Sequence, residues 1–530
     1  INFGIAIAAT RLYFWSFVGM LLLVGYVLPL YGVYGEEHLE AQETGKASPK
    51  KAKNTSTKGK RRRGGRGKSS STGVQWPAWL RVALIGAGIT AILLVTLGFD
   101  FITNRGGGDS AFQAVWTSLV NLPTANQAVS YGVLAMVMTT WLVAGFVLAS
   151  EHARFDETAT WGKILLTILG VSAAVALVYW LWHAAGLVDL ANRPANDING
   201  VLEQVAYIEG FLTNYYIYLL LLVFSLAFTL PVEWPVRVRG TSYLGVAAAP
   251  ALLIVALFIA NTTNLRVIQA DIAFKSGDSF AKPDTWPAAI AVYNHAIDLA
   301  PSEDFYYLFL GRAYLEHGRT LEDANEREQL ISQAKSDLLK AQKINPLNTD
   351  HTANLARLHS LWSSFASDPQ TAETLGETSS DYFSKAVTLS PQNARIWDEW
   401  AVLYLNVFQD LDEVFARLTK SLEIDPSYDW THALLGDYYS RTAQENDDPT
   451  IKEQALQKAA EHYSQAYELT SPRDQSTQFN YLLVLANTHI LLDQPLLAVE
   501  AYEQALDLDV NSQDRWRIEE TIGRVYAQMG

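Results

Sequence analysis

Few residues of this chain are placed for chemistry. His183 stands in "YWLWHAAG", an aromatic and otherwise apolar run near the end of a long hydrophobic segment. An imidazole there can relay a proton or orient a polar ligand, and an ionisable group within a membrane segment is a functional candidate by default. It can equally serve as a hydrogen bond between packed helices. Arg11 lies beside Tyr13 and Trp15, after the apolar stretch "INFGIAIAAT". Its guanidinium can snorkel to a membrane interface or meet a phosphate of a lipid-linked substrate. The stretch "DLANRPANDINGVLEQVAYIEG" gathers Asp189, Arg193, Asp197, Glu203 and Glu209. Carboxylates there can act as bases or metal ligands, and ordinary loop polarity explains them as well. The binding candidates are therefore Arg11, His183, Arg193 and Asp197, and no catalytic residue is assigned.

No established motif accompanies them. The chain has no Walker loop, no GxSxG, no HExxH and no paired zinc spacing. "GAGIT" falls inside an apolar run, where glycines serve helix packing. With no cysteine there is neither a disulfide framework nor a thiolate metal site. No metal or organic cofactor is indicated.

The elements that must position these residues come from hydropathy. Six apolar runs stand out: Leu12 to Tyr31, Trp79 to Phe99, Ala128 to Ala149, Ile164 to Val188, Phe211 to Leu230 and Tyr243 to Ala260. Each nears the roughly 20 residues that a helix needs to cross a bilayer, and Trp and Tyr at their edges fit interfacial belts. Between the first two runs lies "KASPKKAKNTSTKGKRRRGGRGKSSS", with eleven Lys and Arg and no acid. Its composition predicts a disordered loop over 34–78. Basic loops stay on the cytoplasmic side, which also places Arg154, Lys163, Arg237 and Arg239 inside. The loops 100–127 and 189–210, richer in acid, then lie outside, as do both ends of the chain.

From about Asn264 the pattern changes to paired amphipathic helices with a period near 34 residues. "YYLFLGRAY" supplies Tyr307, Leu310, Gly311 and Tyr314, and "HALLGDYY" supplies His432, Leu435, Gly436 and Tyr439. "AIAVYNHAIDLAP" and "YFSKAVTLSP" carry the Ala, aromatic and closing Pro of a second helix, and "AKSDLLKAQKINP" carries Ala334, Leu338, Ala341 and Pro346. This is the tetratricopeptide pattern: small residues let two helices approach, and large ones fill the gap between them. About six and a half repeats are expected, with His359 where Tyr is usual and with inserts "TLEDANEREQL" and "FASDPQTAETLGETSS".

The expected architecture is all-α: a polytopic transmembrane domain over 1–263, then a tetratricopeptide-repeat α-solenoid over 264–530 outside the cytoplasm. The chain of 530 residues has a net charge of −15, unevenly shared. The first part carries 19 basic and 14 acidic residues, the second 21 basic and 41 acidic. A negative solenoid beside a membrane argues against nucleic acid and anionic head groups as its ligands. Membrane lipid and a protein or peptide partner on the repeats are the partners expected.

Two stretches carry a family resemblance. "INFGIAIAATRLYFW" resembles a late transmembrane segment of bacterial O-antigen ligase-like proteins, in the form with C-terminal tetratricopeptide repeats. "NLRVIQADIAFKSG", followed by "AIAVYNHAIDLAPSEDFYYLFLGRAYLE", resembles that group's passage from final span to first repeat. The resemblance implies transfer or polymerisation of glycans carried on undecaprenyl diphosphate, at the outer membrane face. It also implies that Ile1–Gly530 is the C-terminal portion of a longer ligase or polymerase. The family's functional Arg and His and its "HN"-type outer-loop motif lie upstream of the matching segment, so its activity transfers to no residue here. A protein O-glycosylating enzyme and a non-enzymatic membrane scaffold with a repeat domain are the alternatives.

Overall fold

The computed structural model describes residues 77–121, 128–153, 161–229, 251–508 (except 252, 253 and 256) and 512–529. Among these the chain is helical throughout, apart from turns and one isolated bridge between Asn121 and Val129. It divides into two compact units between Phe280 and Ala281.

The first unit begins with α1 (Ala78–Arg105), α2 (Ala111–Val120), α3 (Gly132–Ala153), α4 (Trp161–Ala191) and α5 (Ile198–Thr229). Four of them are long and apolar enough to cross a membrane, over Trp79–Asn104, Gly132–Glu151, Trp161–Ala191 and Ile198–Leu226. α1 starts directly after Pro77, where a missing N–H costs nothing. It is apolar on all sides, the pattern of a helix enclosed by others, and it packs against each of the other four, most extensively α4. Leu94, Val95, Phe99 and Ile102 of α1 meet Ala176, Tyr179 and Trp180 of α4 and Phe211, Leu212 and Tyr215 of α5 in one core.

The expected outer loops are largely helical. α5 starts at Ile198 rather than near Phe211, so Glu203 and Glu209 ride on a helix. Asp197 accepts a hydrogen bond from the Gly200 N–H at 2.7 Å and caps it. Polar residues gave this stretch the look of a loop, yet Val201, Val205, Ile208 and Leu212 are buried at helical spacing. At 32 residues α5 is about 48 Å long, more than the roughly 30 Å thickness of a hydrocarbon core. Residues 111–120, also expected as loop, form α2, whose Ser110 cap accepts from the Gln113 N–H.

The expected first span, Arg11, the basic block, Arg154, Arg237 and Arg239 lie outside the described residues, as does most of the sixth span before residue 251. The described part of that span is helical and passes through a π-helical turn, Asn261–Leu265, into α6 (Arg266–Asp278). α6 packs on α5 within the first unit, although its sequence reads as the opening of the repeats.

The second unit is a tetratricopeptide-type solenoid. It runs through α7 (Trp286–Leu299), α8 (Asp304–Thr320), α9 (Ala324–Ile344), α10 (Thr349–Ser364), α11 (Pro369–Leu389) and α12 (Ala394–Leu403). It continues with α13 (Leu411–Ile424), α14 (Asp429–Glu445), α15 (Pro449–Leu469), α16 (Gln475–Leu491), α17 (Pro495–Leu506) and α18 (Ser512–Met529). Helices pair as α8/α9, α10/α11, α12/α13, α14/α15 and α16/α17, each stacking on the next, with α7 before and α18 after. Five closed pairs thus lie in this unit among the described residues.

The small residues do what their spacing predicts. Ala289, Ala296, Ala334, Ala341, Ala386, Ala459, Ala466, Ala498 and Ala505 are fully buried. A Cβ on Gly311 would stand 2.7 Å from Leu338 Cγ and 3.2 Å from the Ala334 carbonyl oxygen, so only glycine admits this approach of α8 to α9. Leu338, buried beneath it, contributes on the order of 2 kcal/mol. The two inserts lengthen second helices: α9 and α11 have 21 residues, as does α15, against 14 in α13. Asp323, Asp368 and Asp448 cap the three long helices.

His359 fills its Tyr position as a neutral aromatic. It stacks on Trp362 and Tyr382, both at 5.7 Å between ring centroids, and neither ring nitrogen has a hydrogen-bond partner among the described residues. Burial, reinforced by the Lys335 charge, lowers its pKa to about 4.

Candidate functional site

Three of the four sequence candidates fall within the described residues, all around α4 and α5. His183 is buried in an aromatic box: Tyr179 lies parallel at 5.7 Å, Phe99 at 5.2 Å and Phe211 edge-on at 5.1 Å. Its Nε2 is 2.8 Å from Thr103 Oγ1, whose hydroxyl also reaches the Phe99 carbonyl. The helix-packing role of this imidazole is therefore realised.

Arg193 and Asp197 sit in the turn from α4 to α5, and their polar groups are engaged. Arg193 Nη2 is 2.8 Å from Asp189 Oδ2, and its guanidinium lies 4.0 Å from the Tyr207 ring centre. Asp197 is the helix cap. The sequence groups Asp189, Arg193, Asp197, Glu203 and Glu209 as one cluster, and the structure divides them among the end of α4, the turn and α5. A cleft of about 390 Å³ opens between α4 and α5, lined by Trp182, His183 and Gly186 on one side and Tyr207, Phe211 and Asn214 on the other. It is mainly aromatic and apolar. Tyr207 links its rim to Arg193, and His183 stands at its wall.

The repeat unit holds a cleft of different chemistry. About 360 Å³ in volume, it lies between the first helices of successive repeats, α12 and α14. Leu405, Asn406 and Gln409 come from the turn that follows α12, Asp437, Ser440, Arg441 and Gln444 from α14, and Tyr463 reaches in from α15. Three features are local to it. α12 ends in a π-helical turn, Tyr404–Phe408, a rare element that widens a helix and often marks function. Gln409 follows at φ 55°, a left-handed conformation that costs a non-glycine residue about 1 kcal/mol or more. Asn406, Gln409 and Gln444 are exposed, and none of their side-chain amides is hydrogen-bonded to a described group.

The carboxylate here is organised. Asp437 Oδ1 accepts a 2.7 Å hydrogen bond from the Tyr463 hydroxyl, which also lies 3.3 Å from Ser440 Oγ. The side chain reaches solvent through the cleft while protein crowds its flanks, and that desolvation raises its pKa above the usual carboxylate range despite the Tyr463 bond. Arg441 turns away to Glu445 at 3.1 Å. Gly436 sets the geometry, since a Cβ there would fall on the Tyr463 ring. The signal in the sequence was slight: Asp437 directly follows the Gly436 of the repeat signature, but the π-turn that shapes the other wall has no motif. Among the described residues no group of three His, Cys, Asp or Glu is placed to hold a metal.

Comparisons with known proteins concern the repeats. No family model matches the chain, and no curated protein does. Solved structures similar to part of it include a thermophilic TPR protein of Thermus thermophilus, at 16% identity over 41% of this chain and 98% of that one, with a TM-score of 0.33. Pseudomonas aeruginosa PilF matches at 14% identity over 48% of this chain and 97% of its own, TM-score 0.31. PilW, a type IV pilus biogenesis factor, matches at 14% identity over 47% and 97%, TM-score 0.33. Similarity at this level assigns no ligand or activity; the solenoid architecture stands on the paired helices and buried alanines of this chain.

Proposed function

We propose that this chain is a membrane-anchored scaffold whose tetratricopeptide repeats bind a protein partner. The carrying observation is the α12/α14 cleft: three exposed amides with no described partner and a held carboxylate, beside a π-turn and a left-handed Gln409. Amide side chains can pair with the N–H and C=O groups of an extended peptide, and solenoids present such surfaces as their working face. The test is a photo-crosslinking residue at Gln444 in cells. It should give a discrete protein adduct that the same residue at Gln457, on the second helix α15, does not. Equal labelling at both positions would sink the reading.

The repeats belong outside the cytoplasm in this proposal, an assignment supported by the loop charges. The chain has no cysteine, so a single cysteine at Gln444 reports sidedness without background. It should react with an impermeant thiol reagent on intact cells; protection would invert the topology.

A glycan ligase or polymerase acting on lipid-linked glycans is the second reading. It draws on the resemblance of the two quoted stretches and on the aromatic cleft at His183. Arg193 and Asp197 add little to it, being engaged with Asp189, Tyr207 and the helix start. Under this reading His183→Gln abolishes glycan transfer; under the scaffold reading glycan transfer does not depend on the chain.

A further inference from the structure

The α12/α14 cleft has a chemical preference as well as a shape. Its lining carries one acid, Asp437, and one base, Arg441, which do not pair with each other. Arg441 is directed to Glu445, and Arg417, the next cation along α13, is held by Glu413 and packed over Trp400 and Tyr404. Asp437 has Tyr463 on one oxygen and no cation among the described residues. Around it stand groups that accept hydrogen bonds: the amide oxygens of Asn406, Gln409 and Gln444 and the Ser440 hydroxyl. An ammonium or guanidinium can donate to these acceptors and supplies a positive charge for Asp437. An anionic group would meet Asp437 directly, within a half of the chain, residues 264–530, that carries 41 acidic and 21 basic residues.

We propose that this cleft receives a lysine or arginine side chain from an extended segment of the partner protein. Asp437 is its counter-ion, and Asn406, Gln409 and Gln444 pair with the segment's backbone. The inference rests on the partner-binding reading of the repeats and adds the chemistry of what they recognise. The crowding that raises the Asp437 pKa points the same way, because an incoming cation favours the charged form and offsets that shift. The acidic surface of the repeats then speeds encounter with a basic segment, an effect that weakens with salt.

The experiment is a selection of short random peptides, displayed on phage, against the whole chain in detergent. Wild type should enrich peptides with Lys or Arg at one position. Asp437→Asn keeps an acceptor for Tyr463 and removes the charge; it should lose the basic preference while retaining peptide binding. Replacing the selected lysine by norleucine in the peptide should weaken wild-type binding about tenfold and leave the Asp437→Asn affinity unchanged. That arm requires no altered protein. Enrichment of acidic or purely apolar peptides, or a basic preference unchanged by Asp437→Asn, overturns the proposal. A Gln444 crosslink without basic enrichment overturns this inference alone; failure of both overturns the scaffold reading with it.

Discussion

The two units bury polar side chains by different rules. In the apolar unit, Thr103 meets His183, Trp180 Nε1 meets the Leu94 carbonyl and Thr96 meets Tyr215, across separations of 80, 86 and 119 residues. In the repeats, Thr431 donates to Asp398, Thr470 to Asp429, and His351 pairs with Asp304, across 33, 41 and 47 residues. The first set ties non-consecutive helices into one bundle. In the second, Thr431 and His351 join first helices of successive repeats, and Thr470 closes α15 on α14 within one repeat. A change in the bundle should therefore spread, and a change in the solenoid should stay near its own repeat.

The largest test compares two glycines. A Cβ on Gly98 of α1 would fall on the Trp180 indole, displacing the side chain that bonds the Leu94 carbonyl. Gly98→Ala should cost about 3 kcal/mol, with faster amide hydrogen exchange along α1 and α4 together. Gly436→Ala drives the Tyr463 ring aside and should cost about 2 kcal/mol, with exchange rising in α14 and α15 only. Loss of protection through every repeat, or through α1 alone in the first case, breaks the contrast.

A smaller effect comes from Asp398. It is fully buried, Thr431 holds one oxygen at 2.7 Å, the other has no partner among the described residues, and burial pushes its pKa to about 7. The folded pKa exceeds the ordinary value, so the folded state holds the proton more tightly. This stability is full below about pH 4 and is lost as pH rises through 7. Asp398→Asn should gain on the order of 1–2 kcal/mol at about pH 8 and nothing near pH 4, measured by thermal unfolding across pH. An equal gain at both ends would remove the carboxylate as the cause.

His359 has the opposite sign and the smallest effect. Its folded pKa, about 4, lies below the usual 6.5, so its contribution is present above 6.5 and is lost as pH falls toward 4. His359→Phe keeps a ring between Trp362 and Tyr382. It should exceed wild type by about 1 kcal/mol near pH 5, with the difference shrinking by about pH 8. A constant difference would show that packing, not protonation, governs the site.

Much of the solenoid could be read directly. Gly311, Gly436 and the buried alanines are dictated by contacts inside one helix pair, so their spacing is local and repeats. The four described membrane helices were legible for a similar reason, since length and apolarity suffice. Residues 198–210 were not, because Glu203 and Glu209 masked a buried stripe whose period is helical. His183 was legible as unusual but not as the partner of Thr103, for pairing across 80 residues leaves no mark in a single sequence. The cleft at Asp437 was hidden for a third reason: its wall depends on a π-turn, which no residue type specifies.

The long-range pairing of α1 has a consequence for how the chain is made. At roughly 5–20 residues per second, a ribosome needs roughly 4–16 s to pass from Thr103 to His183, the 80-residue gap between them. During that interval α1 is without the helix it is built to meet. Its threonines are suited to the wait. Thr90, Thr96 and Thr103 each hydrogen-bond the carbonyl four residues back in their own helix, at Gly86, Ile92 and Phe99. The hydroxyls are thus satisfied within α1 itself, and remain able to accept a second partner when α4 and α5 arrive.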